Sequence, residues 1–274
     1  MLQHPIKDRN VGEIMSRNSA LTTLGSCALI NLMLATQAQA SSVDWSGAYL
    51  GFGVGAAQGA AETDVQTRDG FPGSYFTSPD PEQIDAVTAT TLTERGFSGT
   101  FLAGYGQQRG NLYFGLEASA SSLDFDASDT SGAEYLSAAT GAFRNRMSVS
   151  ADWQATLRGR LGWAEQRWLT YVTGGVAFTQ VRLDAQFRDN FLGVGASGSG
   201  SEKKTRTGWV VGAGGEYALS DAWRLRGEYL YADYGRIEAS AVVTNPAFPL
   251  FANEMDSSVD FRTQSLTLGL SYQF

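Results

Sequence analysis

Residues 153 to 163 read W-Q-A-T-L-R-G-R-L-G-W. Extended as a strand, Trp153, Ala155, Leu157, Gly159, Leu161 and Trp163 share one face, and Gln154, Thr156, Arg158, Arg160 and Gly162 share the other. A soluble barrel turns its apolar face inward, whereas a barrel in lipid turns it outward. Two arginines alternating with glycine suit a narrow interior, and two tryptophans bounding the apolar face suit the two interfaces of a membrane. The strand between them runs roughly 33 Å, or about 23 Å along the membrane normal at ~45° of tilt, which matches a lipid-facing band.

The pattern recurs. Period-two segments fall at about 46–57, 95–107, 111–123, 151–164, 168–183, 205–218, 222–234 and 260–274. Tight turns near 109, 166 and 221 alternate with long polar connections at 58–94, 124–150, 184–204 and 235–259. This predicts an all-β fold: an eight-stranded antiparallel transmembrane up-and-down β-barrel with short periplasmic turns and long extracellular loops. In the last segment Leu266, Leu268, Leu270, Tyr272 and Phe274 share the lipid face. Closure requires it to pair with the first segment, so that no strand edge is left in lipid.

An eight-stranded barrel is only just wide enough for side chains to fill it. Gly51, Gly53, Gly55, Gly104, Gly115, Gly162, Gly212, Gly214 and Gly269 fall on the inward face. They make room for Arg158, Arg160, Arg224 and Arg226, expected to pair inside with Glu117, Glu216 and Glu228 as a structural charge network. Trp45, Trp153, Trp163, Trp168, Trp209 and Trp223 are expected to form the aromatic girdles.

The first forty residues read as an export signal. Lys7, Arg9 and Arg17 precede an apolar stretch that ends in Ala38-Gln39-Ala40, which places a 41–274 barrel domain after a 1–40 signal peptide; Met15 offers an alternative start. The leader would carry away His4 and Cys27, the only histidine and the only cysteine. Residues 41–274 then lack disulfides, thiol nucleophiles, Cys/His zinc sites and histidine-based catalytic pairs, which argues against an enzyme. A net charge of -8 argues against nucleic acid as a partner. Asp124, Asp126 and Asp129 could offer oxygens to a cation, but they lack the Glu and Gly of an EF-hand loop. No cofactor is expected. Asp64, Asp69, Asp80, Glu82 and Asp85 make the first connection an acidic loop, suited to binding or to shielding.

The stretches D-W-S-G-A-Y-L-G-F-G-V-G, L-R-G-R-L-G-W-A-E-Q-R-W-L-T-Y-V-T-G-G-V-A-F, G-W-V-V-G-A-G-G-E-Y-A-L-S-D-A-W-R-L-R-G-E-Y-L-Y-A-D-Y-G and S-L-T-L-G-L-S-Y-Q-F resemble the small outer-membrane immunogenic proteins of alphaproteobacteria, within the OmpA-like, porin-annotated barrel superfamily. The resemblance implies a surface antigen in the bacterial outer membrane with a role in envelope integrity and in adhesion or host contact. A narrow porin-like channel and a haemin-binding surface protein are the alternatives it brings; haemin would have to use Tyr or Met as axial ligand here. It further implies that Tyr272 and Phe274 serve as a signal to the barrel-assembly machinery. Outer-membrane lipids, lipopolysaccharide and host surface molecules are the other partners expected.

Overall fold

The computed structural model describes residues 43–274, except residue 139. The expected signal segment 1–40 and its cleavage site lie outside the described residues. Eight strands follow in order: β1 (Gly47–Asp69), β2 (Thr90–Arg109), β3 (Leu112–Glu134), β4 (Ala142–Glu165), β5 (Trp168–Asp189), β6 (Ser197–Ala218), β7 (Trp223–Thr244) and β8 (Ala252–Gln273). One helix, α1 (Asp80–Thr88), lies between β1 and β2. Each strand pairs antiparallel with the next, and β8 closes on β1 through pairs such as Leu50↔Tyr272 and Phe52↔Leu270. Two of the tight turns are two residues long, Gly110-Asn111 and Gln166-Arg167, with Gly110 and Gln166 in the left-handed region; glycine adopts it without steric cost.

All eight expected segments are strand, but the strands continue well past them. Much of what reads as long polar loop is a continued barrel wall, and the true connections opposite the tight turns are residues 70–89, 135–141, 190–196 and 245–251. The reason is an exchange of faces. On β5, Val172 and Val176 point outward in the lower half, whereas Arg182, Gln186 and Arg188 point outward above them. The inward residues change in the opposite sense, from Tyr171 and Thr173 to Val181, Leu183 and Phe187. The lower wall is therefore greasy outside and polar inside, as lipid requires, and the upper wall is polar outside and greasy inside, as water requires. On β4 and β7 the change coincides with a bulge. Pairing shifts at Ala151/Gln154 between β4 and β5 and at Asp233/Arg236 between β7 and β8, where Gly235 takes positive φ. A bulge adds a residue to one strand and so reverses which residues face inward.

The upper interior is one apolar core that includes Val65, Ile84, Leu123, Phe125, Val149, Leu183, Val259 and Phe261. The first connection covers it. Phe76 inserts against Phe187 at 5.5 Å between ring centres, and Ile84 of α1 is fully buried. Buried Asn253 fixes this cover by accepting from the Tyr75 and Phe76 amides at 2.8 and 3.0 Å. Of the acidic residues expected to make this connection a binding loop, Asp64 and Asp69 fall on β1 instead, and two stitch the cover down: Asp85 accepts from the Thr67 amide and hydroxyl at 2.9 and 2.7 Å, and Asp80 accepts from the Ser137 hydroxyl at 2.6 Å. Asp189 accepts from the Tyr135 and Tyr75 hydroxyls at 2.7 and 3.2 Å; burial pushes Tyr75 up to about 12, so both phenols remain neutral donors at physiological pH.

Candidate functional site: the charged lumen

Below the apolar core, six charged side chains fill the lumen within the lipid-facing band. Glu117 on β3 stands directly across from Arg158 on β4, and Glu216 on β6 across from Arg226 on β7. Glu117 is the hub. It meets Arg158 at 2.5 Å, Arg226 at 2.9 Å and Arg160 at 3.2 Å, and accepts from the Tyr49 hydroxyl at 2.9 Å. Glu228 binds Arg158 and Arg226 at 3.0 Å each and accepts from the Tyr171 hydroxyl at 2.9 Å. Glu216 pairs with Arg160. Three guanidiniums thus face three carboxylates, and the cluster is neutral. Every member is buried, so its charges are compensated by one another rather than by water.

Three tyrosines seat the guanidiniums. The Arg160 guanidinium lies 3.7 Å from the Tyr171 ring centre and 5.6 and 5.5 Å from those of Tyr49 and Tyr113. Each tyrosine has glycine as a cross-strand neighbour: Tyr49↔Gly104, Tyr113↔Gly162 and Tyr171↔Gly214. A Cβ on Gly214 would come to 2.5 Å from the Tyr171 hydroxyl. Gly214→Val is therefore expected to push Tyr171 off Glu228 and cost about 1–3 kcal/mol by overpacking, read as a lower denaturant midpoint. Gly159→Val, on the lipid face where a Cβ would meet only the Gly174 carbonyl at 3.9 Å, serves as the control that should change the midpoint little.

Two expectations are corrected. Arg224 does not pair with a glutamate; its guanidinium donates to the Asp221 and Asp44 carbonyls at 3.0 and 3.1 Å and lies 4.9 Å from the Trp45 ring centre. It sits nearer the periplasmic mouth than the cluster, where backbone carbonyls are within reach. Trp45 does not belong to a girdle. It is buried inside that mouth with Tyr113, Leu169, Tyr171 and Ala218, because the segment before β1 folds across the opening, where the Trp45 amide donates to Gln108 at 3.0 Å. The clue was in the sequence, since Trp45 has the same parity as inward Tyr49. Trp153, Trp163, Trp168, Trp209 and Trp223 do point outward. Trp223 packs on Tyr272 at 5.2 Å, and Phe274 is exposed on the same face beside Tyr272 at 5.1 Å.

Asp124, Asp126 and Asp129 do not converge. Asp124 and Asp126 are exposed on the outer wall, and Asp129 takes the opposite parity. Among the described residues no group of three or more His, Cys, Asp or Glu could hold a metal ion. The tyrosines were the part of the site the charge pattern did not single out.

The lumen is therefore layered: a Trp45 plug, the neutral charge cluster, a polar layer in which Gln154 accepts from Tyr234 and Thr263 at 2.7 and 2.9 Å, then the apolar core and its cover.

Sequence comparison agrees with this architecture. A family model described as outer membrane protein beta-barrel domain matches residues 27–274. The chain is similar to the 31 kDa outer-membrane immunogenic protein of Brucella melitensis, 32% identical over 241 residues that cover 87% of this chain and 88% of that one. It is also similar to the 22 kDa outer membrane protein of Rhizobium leguminosarum, 30% identical over 139 residues, 51% of this chain and 53% of that one. Among solved structures, OprG from Pseudomonas aeruginosa aligns with 85% of this chain and 99% of its own at 13% identity and a TM-score of 0.41.

Proposed function

Because the chain belongs to the outer-membrane β-barrel family and resides in the bacterial outer membrane, we propose that it is a non-conducting structural barrel that carries a rigid turret above the membrane for envelope integrity and for adhesive contact with host surfaces. The observation that carries this reading is the filled lumen. An ion crossing it would have to displace Trp45, part the Arg/Glu cluster and then enter an apolar core, and each step is costly in a low-dielectric interior. The turret is built for display, since continued strands and a stitched cover hold its outer surface in one shape. Catalysis is not part of the reading, because residues 43–274 hold no histidine or cysteine to activate a nucleophile.

The test is planar-bilayer recording on the refolded chain. Silent bilayers are expected, and Arg158→Ala should lower stability without producing an ion-selective current. Steady wild-type conductance whose selectivity changes with Arg158→Ala would establish the porin-like alternative instead.

A further inference from the structure

The outer wall of the turret carries its charge unevenly. On the β7-β8-β1 side every exposed arginine is paired: Arg68 with Asp256, Arg236 with Asp260 at 3.0 Å, and Arg262 with Glu62 and Asp233 at 2.9 and 3.3 Å. On the β4-β5-β6 side five exposed cations, Arg144, Arg146, Arg182, Arg188 and Lys203, share the outer face, and among the described residues none has a carboxylate within ion-pair distance. Four of them form two like-charge pairs directly across strands, Arg144↔Arg188 and Arg182↔Lys203. Such pairs repel, with side chains about 5 Å apart, and lower stability unless an anion joins them. Asp184 lies within the strip, but it already accepts from the Ser201 hydroxyl at 2.6 Å; Glu134 stands near its upper end, cross-strand from Ala142. In a chain of net charge -8, a strip of unpaired cations needs a cause.

We propose that this strip binds the anionic core sugars of lipopolysaccharide standing beside the barrel in the outer leaflet. Its height selects the ligand. Lys203 lies six residues above Trp209, which marks the outer lipid edge on β6, so it stands roughly 14 Å above that edge at ~45° of tilt. Arg188 lies six residues beyond Arg182, roughly another 14 Å higher by the same rise. The headgroup layer of a phospholipid leaflet is only about 5–8 Å thick, so even with long side chains reaching down it meets at most Arg182 and Lys203 and leaves Arg144, Arg146 and Arg188 well above it. A glycolipid with phosphates and carboxylates distributed along an oligosaccharide spans that height. The side chains also point sideways from the wall, toward a neighbour in the leaflet. Arginine suits the task, since its planar fork binds phosphate and carboxylate in a bidentate manner.

The proposal is independent of conductance, so a silent barrel could still fail this test. The refolded chain in detergent micelles is titrated with core-bearing lipopolysaccharide, with lipid A lacking the core, with phosphatidylglycerol micelles and with a soluble sulfated polysaccharide. Folding is confirmed by heat-modifiable electrophoretic mobility. Core-bearing lipopolysaccharide is expected to bind at least about tenfold tighter than lipid A or phosphatidylglycerol, with an affinity that falls with salt. Changing all five cations to Gln should lose about tenfold or more, whereas the paired control Arg68→Gln, Arg236→Gln, Arg262→Gln should stay within about twofold. Should the fivefold variant fold poorly, the doubles Arg182→Gln/Lys203→Gln and Arg144→Gln/Arg188→Gln relieve one repulsive pair each, and each should lose about threefold or more. Unchanged binding in the variants, equal binding of lipid A, or tighter binding of the soluble polysaccharide would each overturn the assignment.

Discussion

Glu117→Gln is expected to destabilise the barrel by about 3–5 kcal/mol, because it leaves three buried guanidiniums facing two carboxylates in a site without solvent. Of the three carboxylates only Glu117 touches all three arginines, so neither Glu216→Gln nor Glu228→Gln should cost more. Chemical denaturation of the refolded protein would show this as a lower midpoint with an unchanged slope. Arg158→Ala breaks two of the contacts and should fall in the lower part of the same range. Combining Glu117→Gln with Arg158→Met removes one charge of each sign and should recover part of the loss, since a neutral set costs less to bury than an unbalanced one. Additive losses in the double variant would mean that the six groups do not act as one cluster.

The second large effect concerns the exchange of faces along the wall. Leu157 points outward between Trp153 and Trp163, near the middle of the lipid band, and Leu157→Arg should cost about 2–4 kcal/mol. Higher on the same strand, Met147 is buried in the apolar core and Ser148 points outward. Met147→Arg should cost several kcal/mol, because a buried cation there has no partner, whereas Ser148→Arg should stay within about 0.5 kcal/mol. Refolding yields and denaturant midpoints of the three variants in one lipid composition make the comparison direct.

The eight strands were legible in the sequence because lipid imposes a strict rule: apolar residues on every second position over a fixed height. The charge cluster was legible for the same reason, as arginine and glutamate on the opposite positions of Trp153–Trp163 and Trp223–Tyr231 have nowhere else to go. The turret was not. Val181, Leu183 and Phe187 alternate with Arg182, Asp184 and Arg188 as regularly as the lower strand does, but with the polarity of a soluble barrel, so a search for lipid-facing alternation ends where the polarity reverses. Bulges at Asp152-Trp153 and at Gly235 break the count on β4 and β7 and hide the continuation further. Arg224 was misplaced because period two says which face a side chain takes and nothing about its depth along the axis. Trp45 was misplaced because proximity to a strand end was weighed above parity.

The central claim is that one set of strands serves two solvents, with its faces exchanged near Trp153. Residues 43–274 contain no cysteine, so single cysteines carrying a nitroxide can be placed at 144, 146, 148, 150, 155, 157, 159 and 161 of β4 in an otherwise unlabelled chain. Collision with a water-soluble nickel complex and with lipid-soluble oxygen is then measured in bilayers. The account predicts water contact at 144–150, lipid contact at 155–161 and a sharp crossover at Asp152-Trp153. Lipid contact continuing up to 146, or water contact continuing down to 159, would contradict it.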